Sequence, residues 1–283
     1  MVPVAVLGVG TMGQGIAQVA AQAGHPVRVA DARVGAADAA VAAIRERLAA
    51  AAAKGRIEPW VADAASSRLV ACATPVDAAA DAEIVIEAIF EDLDAKRALL
   101  ASAERVMSPR GWLSSNTSSL SIGALAEALS RPERFLGTHF FNPVPVMALL
   151  ELVRGPATSE EAVQAWKELG AGWSKEVIVV RDVPGFATSR LGVALGMEAI
   201  RMVEEGVASA ADIDKAMVLG YRHPVGPLAL TDIVGLDVRL AIGEYLASSL
   251  GNPAFLPPPL LRRLVAEGKL GKKSGEGFYV YPR

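Results

Sequence analysis

The stretch that most limits how this chain can fold is GVGTMG, residues 8–13. It joins an apolar run, PVAVLGVG, to MGQGIAQVAAQAG, which has helical character and stops at Gly24. The first run reads as a short buried strand, so the glycines must turn the chain sharply from strand to helix. Gly8, Gly10 and Gly13 form the pattern G-x-G-x-x-G. The three glycines serve a tight turn, close approach of backbone to a diphosphate, and close helix–strand packing. The helix start then offers unpaired N–H groups to phosphate. A second strand, PVRVAD, ends at Asp31, eighteen residues after Gly13. A carboxylate there accepts hydrogen bonds from ribose hydroxyls and repels a 2′-phosphate, which favours NAD over NADP. Arg33, two residues on, is the counterweight. The candidate cofactor-binding set is Gly8, Gly10, Thr11, Met12, Gly13 and Asp31. The competing reading is a glycine turn with a purely structural role.

Strand and helix patterns alternate through the first two thirds of the chain. Further strands are expected at 82–89, in GWLSSNTS, RFLGTHFF, LLELVRG and EVIVVRD. Helices are expected at 36–54, 94–106, 122–129 and 160–169. Repeated β-α-β with near-continuous apolar strands predicts a doubly wound, mostly parallel sheet covered by helices. The character changes at RDVPGFATSR, residues 181–190, where Pro184 and Gly185 punctuate the chain. Beyond it only helical patterns remain, at 187–204, 210–219, 227–250 and 260–267. The expected division is an α/β domain at 1–183 and an all-α domain at 184–283, the latter carrying dimerisation and part of the substrate pocket. Alanine- and leucine-rich helices in so small a domain leave apolar surface that a second copy would cover, so a homodimer is expected.

Composition narrows the function. Among 283 residues the net charge is −3, which argues against a nucleic-acid partner. No apolar stretch reaches the roughly 18 residues of a membrane span. A single cysteine, Cys72, allows no internal disulfide, and no signal-peptide pattern opens the sequence. A soluble cytoplasmic protein without a metal site is expected.

Two stretches carry candidate chemistry. SSNTSSLS, residues 114–121, follows a strand. Ser119 or Ser121 suffices to cap the next helix. Asn116 and Ser118 are left over at a strand end where α/β sheets bind ligands. Capping and ligand contact both stay open. GTHFFNPVPV, residues 137–146, holds His139 on an apolar strand. A packed core ring is the ordinary reading. Glu151, a carboxylate inside the apolar run LLELV, offers the alternative, because a buried carboxylate needs a partner. Paired with it, His139 would hold one tautomer and act as a base. A Glu151 facing solvent on an edge strand is the rival. His25 reads as a surface loop residue, and His223 as part of a structural loop.

Taken with GVGTMGQGIA, IVIEAIFED, SSNTSSLSI, GTHFFNPVPVM, LLELV, DVPGF and GKKSGEGFY, the whole chain resembles the short-chain L-3-hydroxyacyl-CoA dehydrogenases, including bacterial 3-hydroxybutyryl-CoA dehydrogenases. The resemblance implies a Rossmann-type domain, NAD as cofactor and an acyl-CoA substrate. It implies oxidation of an L-3-hydroxyacyl-CoA to the 3-ketoacyl-CoA, or the reverse. It assigns His139 as general base, Glu151 as its orienting partner and Ser118 as the holder of the substrate oxygen. Cofactor contacts carry over to Asp31, Glu91, Lys96 and Asn116, and substrate contacts to Ser118, Lys54 and Asn142. Lys96 alone would read as a solvated helix charge. Lys54 and Arg56 fit the coenzyme end, or simply favour a helix C-terminus.

The pattern departs at two places. The family has an asparagine before the arginine of PGF-x-x-x-R, where this chain has Ser189, which therefore joins the candidate catalytic set. Many members have a lysine where this chain has Ala148. Two other functions remain in play: a dehydrogenase of non-CoA hydroxy acids or sugar acids on the same scaffold, and a non-catalytic NAD-binding structural relative.

Overall fold

The computed structural model describes residues 1–282 and divides into two compact units, 1–182 and 183–283. The first begins with β1 (Val4–Leu7), α1 (Thr11–Gln22), β2 (Val27–Ala30), α2 (Ala36–Ala53), α3 (Pro59–Ser67), β3 (Leu69–Ala71) and α4 (Pro75–Ala79). It continues with β4 (Ile84–Glu87), α5 (Leu93–Glu104), β5 (Trp112–Ser115), α6 (Ile122–Ala126), β6 (Phe135–Phe140), β7 (Leu149–Arg154), α7 (Glu160–Gly172) and β8 (Glu176–Arg181). The strands form one sheet in the order β3-β2-β1-β4-β5-β6-β7-β8. The order reverses between β1 and β4, which opens a crevice at their carboxyl ends.

All neighbours are parallel except β6 and β7. The reason lies in chain length. Parallel neighbours need a crossover of a dozen or more residues, and only residues 141–148 join β6 to β7. Helices α2, α5 and α7 pack on the sheet. Strands β1 and β4 are buried at every residue, as expected when both faces are covered.

Residues 55–81, where no strand or helix was expected, form α3, β3 and α4. Strand β3 is a three-residue edge strand, too short to show a pattern. Pro59 and Pro75 start α3 and α4 at the helix position where proline is tolerated.

The second unit is helical: α8 (Thr188–Glu204), α9 (Ala210–Gly220), α10 (Pro227–Val234), α11 (Leu236–Leu250) and α12 (Pro259–Ala266). The single helix expected over 227–250 is in fact two. Gly235 has φ +105°, which ends α10 and starts α11. Apolar residues run through the break, so periodicity hides it. Val193, Met197, Ile200, Leu228, Leu236 and Leu246 form the core. The glycine-rich tail closes on Asp232, whose carboxylate accepts hydrogen bonds from the backbone of Phe278 and Tyr279 (2.9 Å each) and from the Tyr281 hydroxyl (3.1 Å). A Cβ at Gly277 would stand 2.2 Å from that carboxylate, which is why the tail carries glycine there. Among the described residues no helix is long and apolar enough to cross a membrane.

The strand–glycine–helix turn separates its glycines by role. A Cβ on Gly13 would sit 1.8 Å from the Gly8 carbonyl oxygen, and one on Gly8 would sit 2.5 Å from that of Ala88. Gly10 has nothing within 4 Å of its Cβ position. We expect Gly13→Ala either not to fold or to lose more than about 3 kcal/mol, the upper end of ordinary overpacking. Gly10→Ala should stay within about 0.5 kcal/mol, like a neutral surface change. Urea unfolding of the two variants checks this; equal midpoints would refute it.

Candidate active site

The crevice at the end of β1 and β4 is built to receive an extended anionic ligand. Helix α1 has no side-chain cap; its N-cap residue is Gly10, whose Cβ direction is open. Free N–H groups and open space coincide there, which fits a diphosphate. Asp31 lies just beyond the end of β2, and its carboxylate accepts the Val9 N–H at 3.0 Å, tying it to the turn. Arg33 folds back on it, Nε to Oδ1 at 2.9 Å and Nη2 to Oδ2 at 3.2 Å. That pairing, with the hydrogen bonds from Val9 and Arg33 N–H, holds the Asp31 carboxyl down at about 2 against the upward push of partial burial. A cavity of about 770 Å³ lies here, lined by Gly10, Met12, Asp31, Ala88, Phe90 and Leu99 among others. Its size and apolar walls suit an adenosine, so these residues fit a dinucleotide.

Below the crevice sits a group that sequence reading did not single out. Glu87, the last residue of β4, is fully buried. Its carboxylate takes hydrogen bonds from Ile89 N–H (2.6 Å), from Lys96 Nζ (2.6 Å) and from the Ser115 hydroxyl. Burial pushes its pKa up, against the pull of Lys96 and the other donors. Lys96, on α5, is equally buried and also reaches Ile89 O at 3.2 Å and Glu91 Oε2 at 3.3 Å. It is therefore not a solvated helix charge. The signal was present: a glutamate ending an apolar strand nine residues before a lysine has to be answered by a cation.

Glu91 gathers the polar loop. Its carboxylate accepts the Thr117 hydroxyl, Ser118 N–H (3.1 Å), Ser119 N–H (3.2 Å) and the Ser119 hydroxyl (2.9 Å). Burial raises its pKa, but Lys96 and these donors outweigh that, and the carboxyl lies below its ordinary value. Ser121 caps α6 through Ala124 N–H at 3.1 Å. Asn116 reaches across to β6, accepting Phe140 N–H at 3.0 Å. Ser118 is exposed at the tip of the loop.

His139 and Glu151 lie directly opposite in the antiparallel register of β6 and β7. Nδ1 of the imidazole is 2.8 Å from Oε2. Glu151 is fully buried, and β7 lies inside the sheet between β6 and β8, so the carboxylate does not face solvent on an edge. The ring is 7% exposed and tilts against Phe141 at 4.5 Å. His25 differs from expectation: it is buried, not a surface residue, with Nδ1 3.0 Å from Val2 O and its ring edge-on to Trp173. Burial lowers its pKa.

A second cavity, about 670 Å³, runs between α1, the end of α2 and the loop after β6. Lys54, Arg56 and Asn142 line it, with Arg47 fixed by Gln14 (3.0 Å) and Gln18 (3.2 Å). The loop wall is pinned from beneath by Lys175, which sequence reading also passed over. Its buried ammonium donates to Val144 O (2.6 Å) and Met147 O (2.7 Å), and burial lowers its pKa. Ser189 lies in the first turn of α8 in the second unit, half-buried. Among the described residues no group of three or more His, Cys, Asp or Glu could hold a metal ion.

The sequence of the chain matches two family models. The NAD binding domain of 3-hydroxyacyl-CoA dehydrogenase covers residues 3–183, and the C-terminal domain of that family covers 185–281. The chain is 45% identical to a probable 3-hydroxybutyryl-CoA dehydrogenase of Bacillus subtilis, over 98% of this chain and 96% of that protein. It is 41% identical to the human mitochondrial hydroxyacyl-coenzyme A dehydrogenase, over 98% and 90%. Its fold matches the crystal structure of (S)-3-hydroxybutyryl-CoA dehydrogenase from Ralstonia eutropha with a TM-score of 0.95 at 39% identity, over the full length of both chains.

The buried Glu87–Lys96 pair yields a stability prediction. Glu87→Gln should cost about 3 kcal/mol, because it leaves a buried ammonium without its main counter-charge. Adding Lys96→Met should recover at least half of that loss. Denaturant unfolding of both singles and the double closes the cycle; strictly additive losses would contradict the pairing.

Proposed function

This chain belongs to the 3-hydroxyacyl-CoA dehydrogenase family, and from that premise we propose how its residues divide the work. It is an NAD-dependent oxidoreductase that interconverts L-3-hydroxyacyl-CoA and 3-ketoacyl-CoA, of the 3-hydroxybutyryl-CoA type. The observation that carries the division of roles is the buried His139–Glu151 pair near the carboxyl end of β6.

NAD, when bound in the crevice, would supply the acceptor for the hydride that leaves the substrate carbon in the oxidation. His139 removes the hydroxyl proton. With Nδ1–H donated to the Glu151 carboxylate, the lone pair sits on Nε2, and this nitrogen takes the proton. The carboxylate then stabilises the imidazolium that results. In the reduction the same imidazolium returns the proton to the oxygen. Ser118 supplies a hydroxyl to the substrate oxygen from a loop that Glu91 keeps in shape. Ser189 stands where the family has an asparagine and is the further candidate catalytic side chain, a hydroxyl shorter than that amide.

Gly8, Gly10, Thr11, Met12 and Gly13 hold the cofactor diphosphate, and Asp31 its adenosine ribose. Glu91, Lys96 and Asn116 shape the nicotinamide side, with Glu87 beneath them. Lys54, Arg56 and Asn142 take the coenzyme A moiety in the second cavity, where two cations suit its phosphates. The two-domain division at residues 183 and 184 follows the same plan. The chain self-associates through its helical domain, which exposes Leu191, Leu219, Tyr221 and Ile233. One cysteine, Cys72, unpaired, suits a reducing cytoplasm.

Two measurements test these roles. His139→Ala should lower kcat for acetoacetyl-CoA reduction by about 10²–10⁴, the range of a positioned acid–base group, with NADH affinity kept. Activity within tenfold of the unaltered protein would remove the base assignment. Light scattering at micromolar concentration should give twice the mass of one chain; a monomer would end the dimer proposal.

A further inference from the structure

Lys175 is a buried cation that the hydride and proton transfers do not use. It stands between α7 and β8 and is 7% exposed. Among the described residues it has no carboxylate partner. Its ammonium donates instead to two backbone carbonyls, Val144 O at 2.6 Å and Met147 O at 2.7 Å. No acidic residue lines the cavities on either side of these carbonyls. An ammonium buried on neutral acceptors is a costly way to join two segments, so stability alone does not account for it.

Both carbonyls belong to residues 141–148, the connection from β6 to β7, and this segment is a wall between two spaces. On one side lies the cavity of about 670 Å³ that Lys54, Arg56 and Asn142 line. On the other lies a cavity of about 360 Å³, lined by Gln22, Ala148, Trp173 and Lys175 among others. Pro145 and Val146 line both. With space on each side, close packing does not fix where the wall stands. Within the segment, Val146 N–H and Met147 N–H both donate to Pro143 O, at 2.9 and 3.0 Å, which makes a single turn. A Cβ on Gly15 would stand 2.8 Å from Val144 Cβ, so α1 is bare where the turn rests on it. Lys175 holds the turn from the side of the smaller cavity, and its own N–H is fixed on Gly170 O at 2.9 Å. The same segment starts with Phe141, whose ring lies 4.5 Å from that of His139.

We propose that Lys175 is a positioning residue for the thioester substrate: by clamping Val144 and Met147 it sets where the wall of the larger cavity stands, and so governs KM for the acyl-CoA without touching it. The inference rests on the reading that this cavity takes the coenzyme A moiety. The two hydrogen bonds are charge-assisted and therefore strong for their number. Without them the carbonyls of Val144 and Met147 lose their donor, and the turn has the smaller cavity to move into. Substrate then binds only the fraction of molecules whose wall is in place, which weakens apparent affinity by that fraction. Once substrate is bound the wall is in place, so turnover is kept. The crevice at the ends of β1 and β4 shares none of the contacts of Lys175, so NADH affinity is kept as well.

The test is steady-state reduction of acetoacetyl-CoA by the full-length protein, with NADH binding followed separately by fluorescence titration. Lys175→Met should raise KM for acetoacetyl-CoA about tenfold, as if the wall stood in place in about one molecule in ten, and lower kcat by less than about threefold. NADH affinity should not change. Lys175→Arg, which keeps a cationic donor, should recover part of the loss in KM. If Lys175→Met does not fold, Lys175→Gln, which keeps a neutral donor, takes its place and should also raise KM. Gly15→Ala keeps the clamp but displaces Val144, and should raise KM from the opposite side. A purely structural lysine behaves differently: its loss reduces the amount of active protein, so apparent kcat falls and KM stays. That pattern overturns the inference, as does an unchanged KM in Gly15→Ala. Failure of the underlying reading is separate, because Lys54→Ala and Arg56→Ala would then leave KM for acetoacetyl-CoA untouched.

Discussion

His139 faces Glu151 because β6 and β7 are antiparallel and held in one register. Side chains alternate across a sheet, so a slip of one residue would send the ring and the carboxylate to different faces. The eight-residue connection that forces the antiparallel turn is therefore what brings the two side chains together. The same connection carries Asn142, Val144 and Pro145 to the wall of the second cavity. Lys175, by holding the carbonyls of Val144 and Met147, ties that wall to the start of β8. The His139–Glu151 pair and the cavity wall both follow from one short loop.

A second set of carboxylates organises the ends of β4 and β5. Glu87 joins β4, β5 and α5 at one point, through the turn N–H of Ile89, the Ser115 hydroxyl and Lys96. Glu91, four residues on, shares Lys96 and collects the hydroxyl loop. The strand ends are thus fixed to one another by buried ionic and hydrogen-bonded contacts rather than by apolar packing. Such contacts fix geometry more than they add stability, because desolvation offsets much of the attraction. That suits a crevice whose strand ends must stay at fixed spacing.

The helical unit uses the same device for another end. Asp232 and Asp214, both buried, receive the tail: the Tyr279 hydroxyl donates to Asp214 at 2.8 Å, and Asp214 also accepts the first N–H groups of α10. Burial raises the Asp232 pKa, and the nearby carboxylates push Tyr281 up to about 12 after burial has begun the shift. These carboxylates are fully answered within the unit. Arg239 stands apart from them: it is buried, and its Nε has no hydrogen-bond partner.

The sequence by itself determined the strand–glycine–helix turn, the succession of buried strands, the mostly parallel sheet and the change to helices near residue 183. Those features are local: they arise from glycine spacing, from apolar runs of strand length and from proline and glycine punctuation. It also named His139, Glu151 and the serine-rich loop, since a histidine and a glutamate inside apolar runs are visible without coordinates. Tertiary structure alone decided which groups meet. The depth of Lys96, the role of Glu87 under the crevice, the burial of His25 and the break at Gly235 depend on neighbours distant in sequence or on a backbone angle that apolar periodicity conceals. A charge reads the same in a sequence whether it is solvated, paired or stranded. Only packing, which removes water from one arginine and gives a lysine its carboxylate, tells them apart.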